Sequence, residues 1–501
     1  MPSTSANADV LDEFKNKASA GLNEFREDKY RDLESFRRRI NEEIATFMSQ
    51  PWTPVKITPE IDPPVDPSPD PVHIDMDTIT HKNPLLIVIK HIVTVPDPSP
   101  QPLPVEPIIE IAPEPVDPMP DDPVIDPAPI IKDNCLDVML YGTKFTLRYP
   151  DLSNYRLNGN NPAGFADAWK SLNSTSTNNL IIDCLKQRED KALCDWAYLQ
   201  LIQATSDKLF PDEPAKATLL SGFLLSQCGY RIRFATDSRN RLHLLYSPTG
   251  RVYQVPSFNI DGYSYYVATD FDKSDLNYRI CNFKCPGEKQ MSFEITRSIR
   301  LDHEPAQTRK IAVHNHPELE INVTPNRNLI DFYDAYPVAT SGKNEYSQWT
   351  IYANTPASPE LQKDLYPVLR EAVKDKTQKE AANLLIHLAE SFPYGYDSQI
   401  WGRDRAFFPD ETWHYPLSDC EDHAIHFTRL VRDILDLDSV LVCYPRHLAA
   451  AVAFTDPDIE GDYVIHRGKK FIICDPTIFY ADIGTTMTGC DNADAVLIDL
   501  N

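Results

Sequence analysis

The sequence predicts a protein of the α+β class, in which helical and strand segments are grouped rather than strictly alternating. Three observations predict this. Apolar residues recur at spacings of three and four from Cys420 to Leu435, and short strand-like segments follow that helix. A similar order, helices and then strands, occurs between residues 133 and 345. Between residues 51 and 132 the chain is too rich in proline for regular helix or sheet.

The overall composition limits the classes of protein that fit. With 501 residues the chain is long enough for about three domains, and 42% hydrophobic residues suffice for packed cores. The net charge of −25 argues against nucleic acid as a partner, because nucleic-acid phosphates would repel it. The apolar run Pro84–Ile89 is followed by Lys90 and is too short to cross a membrane. We therefore expect no nucleic-acid partner and no transmembrane segment.

Residues 1–50 are predicted to form an amphipathic helix with an internal repeat. Two apolar series recur every eleven residues, namely Leu11, Leu22, Leu33 and Ile44, and Phe14, Phe25, Phe36 and Phe47. Eleven residues in three turns favour right-handed supercoiling when such helices pair. Two interpretations remain open, a single helix lying on the protein body and self-association. A membrane-surface helix is less favoured, because the polar face is not mainly basic.

The extreme N-terminus bears on localisation. The triplet Ala6-Asn7-Ala8 has the small-x-small form of a signal-peptide cleavage site, whereas a charged segment and an apolar segment before it are lacking. A recorded start inside a longer signal peptide would leave this remnant. A secreted or cell-envelope location is therefore suspected, and a cytoplasmic one stays open.

Residues 51–132 are predicted to be an extended acidic linker. Of the 43 prolines in the chain, 22 lie between Pro51 and Ile130, together with 14 acidic and 3 basic side chains. Proline cannot donate ladder hydrogen bonds, and the acidic side chains repel one another, so we expect a largely polyproline-II tether. A ligand for a proline-recognition domain is the alternative.

Residues 133–345 are predicted to form a β-rich α+β accessory domain. A hairpin is expected around Gly142, helices at Leu193–Leu209 and Ala215–Gln227, and strands at the apolar segments that follow, including Val252–Val255. Aligning Ala217 with Ala424 places Glu213 at the position of Cys420. This alignment also brings His243 near His447, and Asp270 near Asp475. The domain is either a degenerate copy of the C-terminal one, without a nucleophile, or an unrelated accessory domain.

Residues 346–501 carry the candidate catalytic residues. Cys420 opens the helix, where free backbone N–H groups and the helix dipole favour a thiolate. His447 begins a strand, and Asp475 ends another before Pro476 stops the ladder. A cysteine, a histidine and an aspartate in these positions are typical of a nucleophile, its base and the group that orients the base.

At these residues the chain resembles a known family. Residues 349–501 are similar to the transglutaminase-like superfamily of papain-fold cysteine enzymes, most closely to bacterial transglutaminase-like cysteine proteinases. The resemblance is carried by Asp419-Cys-Glu-Asp422, Ala382–Asp397, Trp401-Gly402, Phe408–Trp413 and Cys474–Gly484. One departure is Ser418, where the family usually has glycine; serine makes the turn less permissive but is a good helix N-cap.

The resemblance implies a papain-like domain in which Cys420, His447 and Asp475 are catalytic. The thiolate would attack a peptide or glutamine carboxamide and form a thioacyl intermediate. Hydrolysis by a cysteine peptidase is preferred, because the Asp-Cys-Glu-Asp run resembles the proteinases more than the crosslinking enzymes. A crosslinking or deamidating transglutaminase remains an alternative, and so does a noncatalytic binding or scaffold protein.

Further residues are candidates for the oxyanion hole, the substrate cleft and a metal. The backbone N–H of Cys420 is the first oxyanion donor. A side-chain donor is expected from Tyr394, Gln399 or Trp401, and Trp413 is an aromatic candidate for the cleft wall. No cofactor is required. The resemblance implies that Asp419 and Asp422 bind calcium, with helix capping as the alternative. We expect Glu421 and Asp422 to point away from the sulfur, because their charges disfavour a thiolate.

The ten cysteines do not form a metal motif. They are dispersed, and no Cys-x-x-Cys pair occurs. The nearest pair, Cys281 and Cys285, is expected to be either a local disulfide or two unrelated thiols.

Overall fold

A computed structural model describes residues 34–63, 110–111, 134–269, 275, 277–397 and 405–500. Several predictions fall on other residues and lie outside the described part. They concern Ala6-Asn7-Ala8, the repeat before residue 34, most of the proline-rich segment, Asp270, Gln399 and Trp401.

The described chain contains both helices and β-sheets, which confirms the α+β class. The helices are α1 (34–48), α2 (Pro162–Leu172), α3 (Asn178–Asp190), α4 (Asp195–Leu209), α5 (Pro214–Gln227), α6 (Arg327–Asp334), α7 (Gln348–Asn354), α8 (Pro359–Val373), α9 (Gln378–Glu390), α10 (Pro409–Thr412) and α11 (Cys420–Leu430). The strands are β1 (Thr53–Val55), β2 (Glu110–Ile111), β3 (Asn134–Leu140), β4 (Thr143–Tyr149), β5 (Ile232–Thr236), β6 (Leu242–Tyr246), β7 (Ser257–Ile260), β8 (Tyr263–Val267), β9 (Tyr278–Cys281), β10 (Arg309–Ala312), β11 (Glu320–Val323), β12 (Ser439–Tyr444), β13 (His447–Val452), β14 (Tyr463–His466), β15 (Lys469–Cys474) and β16 (Val496–Asp499).

Two six-stranded sheets share one strand order. The first runs β7-β8-β6-β5-β9-β1 and the second β14-β15-β13-β12-β16-β2. In each, a helix (α5 or α11) precedes two hairpin-connected strands at the centre of the sheet, and an earlier segment of the chain supplies the outer strand. All neighbours are antiparallel except β2, which runs parallel to β16. The two sheets therefore differ only in the direction of one edge strand.

The second sheet brings two candidate residues to the same edge. Strands β12 and β13 form a tight hairpin in which Tyr444 pairs with His447, and Arg446 in the turn adopts a left-handed φ of 66°. Ala450 of β13 pairs with Cys474 of the antiparallel β15. The C-terminal end of β15, followed by Asp475, therefore lies beside the N-terminal end of β13, where His447 stands.

Small residues let α11 approach this sheet closely. Strand β13 is buried along its whole length and contains Ala449, Ala450 and Ala451 in succession. Helix α11 packs against β13 and is covered on its other sides by α7 and α9. The helix continues after Leu430 as a π-turn, Val431–Leu435, so the predicted helix was correct in extent but not uniform in type.

Helix α1 lies on the accessory domain. Ile44, Ala45 and Met48 are buried, and the buried Asn41 accepts a hydrogen bond from Trp169 Nε1 at 3.0 Å. Its amide also bonds to Gln227 Oε1 at 3.1 Å. Residues 34–48 therefore lie on the protein body, and self-association through the rest of the predicted helix stays a prediction.

The predicted linker begins later than residue 51. Trp52 is buried against Phe165, with ring centroids 5.3 Å apart, and β1 pairs with β9. The backbone N–H of Gln254 donates to Ile61 O at 2.8 Å. The prolines of this segment are tolerated because β1 is an edge strand.

The accessory domain follows the predicted elements with exceptions. The hairpin at Gly142, both helices and strand β6 were predicted correctly. The predicted strand Val252–Val255 is wrong, since this segment forms a turn with one isolated bridge to Ala339. All ten cysteines lie in the described residues and none forms a disulfide, so the disulfide alternative for Cys281 and Cys285 is excluded.

Within the described residues, no helix has the length and the apolar character that crossing a bilayer requires.

Candidate active site

Cys420 is the first residue of α11, and the loop before it is tightly held. The N–H of Ser418 donates to Pro393 O at 3.1 Å, and the N–H of Gly395 donates to Ser418 O at 3.0 Å. A Cβ at position 395 would lie 2.6 Å from Leu417, so this close approach requires glycine. Asp419, not Ser418, is the N-cap residue.

The sulfur is fully buried and faces a carboxylate. Cys420 has 0% exposure, and its Sγ–H donates to Glu421 Oε2 at 3.3 Å. The expectation that Glu421 points away from the sulfur is therefore wrong. That expectation assumed an ionised sulfur, whereas a neutral thiol is a donor that a buried carboxylate can use.

The structure brings His447 and Asp475 together. His447 Nε2–H donates to Asp475 Oδ2 at 2.6 Å, and both side chains are buried. The second oxygen, Oδ1, accepts from Thr477 N at 3.1 Å and from Thr477 Oγ1 at 2.5 Å. Because both carboxylate oxygens are engaged, the orientation of Asp475 is fixed and the imidazole presents Nδ1 as its free acceptor.

The sulfur and the imidazole are not hydrogen-bonded to each other here. His447 Nδ1 is buried and has no hydrogen-bond partner among the described residues. Helix α11 nevertheless packs on β13, the strand that His447 begins. The arrangement is thus a base with its orienting carboxylate, and a sulfur that is hydrogen-bonded to Glu421 instead of to the imidazole.

His423 connects the two parts of the site. Its Nε2 lies 2.9 Å from Ser418 Oγ, and its Nδ1 lies 3.3 Å from Pro476 O. Burial lowers the pKa of His423 to about 4, so the ring is neutral at neutral pH. A neutral ring must donate through Nδ1, because a carbonyl only accepts, and Ser418 Oγ–H then donates to Nε2.

The residues predicted for the oxyanion hole and the cleft differ in their burial and in whether the structure describes them. Tyr394 forms a parallel bridge with Ser418 and is partly exposed. Burial raises the pKa of Tyr394, and the neighbouring Asp419 and Glu421 carboxylates raise it further, so its hydroxyl stays a donor. Trp413 is fully buried and packs edge-to-face with Phe392, with ring centroids 4.9 Å apart, so its role as a cleft wall stays a prediction. Gln399 and Trp401 lie outside the described residues.

Three buried carboxylates cluster beside the sulfur. One oxygen each from Asp397, Asp419 and Glu421 lies within 4.8 Å of the others. Asp422 is not in this group, since its oxygens accept from Phe407 N at 2.7 Å and Asp419 N at 3.2 Å. The predicted pair is therefore corrected: Asp422 caps backbone groups, and Asp419 groups with Asp397 and Glu421. Such oxygens suit a hard cation, but three are fewer than the ~6–8 that Ca²⁺ takes.

The accessory domain contains a histidine–carboxylate pair in a related place. His243 Nε2 lies 3.2 Å from Asp237 Oδ2, and Nδ1 lies 3.3 Å from Thr269 Oγ1. Burial lowers the pKa of His243. The carboxylate belongs to Asp237, in the turn between β5 and β6. The sequence alignment had instead placed Asp270 in this role. Glu213, at the position aligned with Cys420, is the exposed N-cap of α5.

Sequence reasoning missed Asp397, Ser418 and His423 as site residues. The spacing of three residues between Cys420 and His423 places both on one face of α11, and that signal was present. The partner of His423, Pro476 O, is a backbone atom, so no side-chain pattern could have indicated it.

Comparison with known proteins gave no match, whether to family models, to curated proteins or to solved structures.

Proposed function

We propose that residues 346–501 form the catalytic domain of a cysteine-dependent acyl-transfer enzyme with a transglutaminase-like, papain-type fold. The observation that carries the proposal is the buried contact of 2.6 Å between His447 Nε2 and Asp475 Oδ2, with Nδ1 left unpartnered. An imidazole oriented in this way can accept a proton at Nδ1 and act as a general base. The proton could come from the sulfur of Cys420. Cys420 is the first residue of α11, and α11 packs on β13, the strand that begins with His447.

The reaction uses groups of this chain throughout. His447 Nδ1 accepts the Sγ proton of Cys420, and the thiolate adds to an amide carbonyl to give a tetrahedral oxyanion. The N–H of Cys420 and the Tyr394 hydroxyl are the candidate donors to that oxyanion. The imidazolium then protonates the leaving amine, which leaves a thioacyl enzyme. In the second half His447 removes a proton from the acceptor as the acceptor adds to the thioacyl carbonyl. The C–S bond then breaks, and the imidazolium returns the proton to the sulfur.

Two features indicate that the structure represents a resting state. Cys420 is covered completely, and its thiol is bonded to Glu421. For catalysis the side chain of Cys420 must leave Glu421 and turn towards His447, and the cover must open for a substrate. We propose that the cover opens transiently in the free enzyme, which exposes the sulfur, and that substrate binding stabilises the open form.

The acyl acceptor distinguishes the alternatives. Water gives peptide hydrolysis or deamidation, and a primary amine gives a crosslink. We prefer a cysteine peptidase, because the Asp419–Asp422 run resembles that of the proteinases. A scaffold protein remains the alternative from another class, and the complete burial of Cys420 is the observation that favours it.

The accessory domain is proposed to be a degenerate copy of the catalytic one. The shared strand order of the two sheets supports this proposal. The copy has no cysteine at the start of α5, where Glu213 is followed by Pro214. A calcium ion, where one binds, would be held by Asp397, Asp419 and Glu421, and its charge would offset three buried carboxylates.

The test is the pH dependence of labelling by iodoacetamide, read residue by residue by mass spectrometry. A catalytic Cys420 reacts well below the pH of ~8.5 at which an isolated thiol ionises, and His447→Gln removes this behaviour. Cys443→Ala is the matched control, because Cys443 is also buried in this domain. No labelling of Cys420 in the folded protein would contradict the proposal. Incubating wild type and Cys420→Ala with a peptide library and a primary amine then identifies the acceptor.

A further inference from the structure

One imidazole joins the turn that presents the nucleophile to the strand end that carries the orienting carboxylate. His423 is buried on α11, between Ser418 on one side and Pro476 on the other. Ser418 lies two residues before Cys420, and Pro476 directly follows Asp475.

The hydrogen bonds form a continuous path to the base. Ser418 Oγ–H donates to His423 Nε2 at 2.9 Å, and His423 Nδ1–H donates to Pro476 O at 3.3 Å. The peptide bond links Pro476 to Asp475, whose Oδ2 accepts from His447 Nε2 at 2.6 Å. Thr477, which directly follows Pro476, holds the other oxygen of Asp475, so the segment that His423 contacts is the one that fixes the carboxylate.

The Ser418 hydroxyl bonds to His423 and does not act as a helix cap. Its backbone is held on both sides, by Pro393 O and by Gly395 N. The side chain does not cap α11, since Asp419 occupies the N-cap position. A glycine at position 418 would leave Nε2 of a buried ring without a donor, which is unfavourable.

We propose that His423 is the positioning residue of this site. By bridging Ser418 and Pro476, it sets the distance between the turn bearing Cys420 and the strand end bearing Asp475, and thereby the place of the His447 imidazole. This inference rests on the proposed function. His423 touches neither the sulfur nor a substrate in this role, so its effect is transmitted through Asp475.

The experiment compares variants of the full chain by two measurements. The first is the rate of Cys420 labelling by iodoacetamide at one pH. The second is the NMR resonance of the His447 Nε2–H proton, which reports directly on the bond to Asp475. We expect His423→Leu to slow labelling about 10- to 100-fold, because small displacements of a catalytic group have effects of this size. We also expect it to shift or broaden the resonance.

Three further variants separate positioning from packing. His423→Gln keeps a side chain that can donate and accept, and should restore part of the rate. His426→Leu is the matched control: His426 is buried on the same helix, but neither ring nitrogen has a partner among the described residues. It should leave both measurements unchanged. If His423→Leu does not fold, Ser418→Ala removes one arm of the bridge and should give a smaller change in the same direction.

The outcomes are distinct. A folded His423→Leu with the wild-type rate and the wild-type resonance would overturn the inference, and so would an equal loss in His426→Leu. Equal labelling of wild type and His447→Gln would instead show that the proposed function has failed, and the positioning role would fail with it.

Discussion

At Cys420 the sulfur and a neighbouring carboxylate compete for one proton. The thiol donates to Glu421 Oε2 at 3.3 Å, and this contact stabilises the neutral thiol and opposes its ionisation. Glu421 is itself buried, so little solvent screens its charge. Glu421 is therefore expected to hold the nucleophile in its unreactive form.

Glu421→Gln should make Cys420 more reactive. The amide oxygen can still accept the thiol proton, but the negative charge that repels a thiolate is gone. We expect the labelling profile of Cys420 to move at least about one pH unit lower, equivalent to about 1.4 kcal/mol. Iodoacetamide labelling across pH measures it, with the exposed Glu318→Gln as control. An unchanged or higher midpoint would contradict the role given to Glu421.

Histidine burial in α11 should make stability depend on pH. Burial, and then the neighbouring His423, lower the pKa of His426 to about 3 from an ordinary value of 6.5. Between these values the unfolded chain binds the proton and the folded chain does not. The free energy of unfolding therefore falls as the pH falls from about 6.5. Asp422 acts in the opposite direction, because burial and the charges of Asp419 and Asp397 raise the pKa of that carboxyl.

His426→Leu isolates this effect. The variant cannot take up the proton, so its free energy of unfolding relative to wild type should rise by up to about 1.4 kcal/mol for each pH unit below 6.5. Urea denaturation at pH 7 and pH 5 measures it. The contribution of Asp422 is common to both proteins and cancels. A difference that does not vary with pH would show that His426 is not buried as a neutral ring.

At the scale of elements, helix α1 is attached by polar as well as apolar contacts. Asn41 is buried, and its amide pairs with Trp169 Nε1 and with Gln227, while Ile44 and Met48 supply the apolar contact. Phe36 and Phe47 face solvent, and they belong to the phenylalanine series of the repeat. Among the described residues of the two series, Ile44 is therefore the one that packs on the body.

Asn41→Ala should destabilise the protein by about 1–3 kcal/mol. The substitution leaves the buried indole N–H of Trp169 without an acceptor, and it removes a partner of Gln227. Chemical denaturation measures the change, and Glu42→Ala at the next, exposed position is the matched control. Equal effects of the two substitutions would show that the polar contacts of Asn41 are not stabilising.

At the scale of the whole molecule, the two sheet domains share a core. Phe408 stacks on Tyr333 at a centroid distance of 4.2 Å and contacts Tyr352 at 4.7 Å. Arg405 bonds to Asp334 Oδ1 at 2.8 Å. One continuous apolar cluster includes Trp169 and Leu220 of the accessory domain and Cys420 and Leu448 of the catalytic one. The predicted boundary at residue 345 therefore does not separate two independent cores.

Phe408→Ala should destabilise both domains together, by about 3–5 kcal/mol. Urea-dependent hydrogen exchange of peptides from α4 and from β13 measures the two domains separately within the full chain. We expect both transitions to move by the same amount, and Val368→Ala, on the surface, to move neither. A shift confined to β13 would show that the domains unfold independently.

Much of the local structure could be predicted from sequence, because it follows from the spacing of apolar residues and from residues such as proline that end helices and strands. The start of α11 at Cys420, the start of β13 at His447 and the end of β15 before Asp475 are correct to the residue. Strands β14 and β16 were not predicted, since short strands without clear alternation look like loop. The early start assigned to the linker came from counting prolines, which edge strands tolerate.

The amino-acid sequence by itself determined which residue types could react and which elements carry them, because helix and strand patterns are local. The tertiary structure alone decided which of these residues meet. Strand register placed His447 against Asp475, close packing brought the thiol into contact with Glu421, and a backbone carbonyl gave His423 its partner. Such contacts join residues far apart in the chain, and their geometry depends on packing that no local pattern specifies.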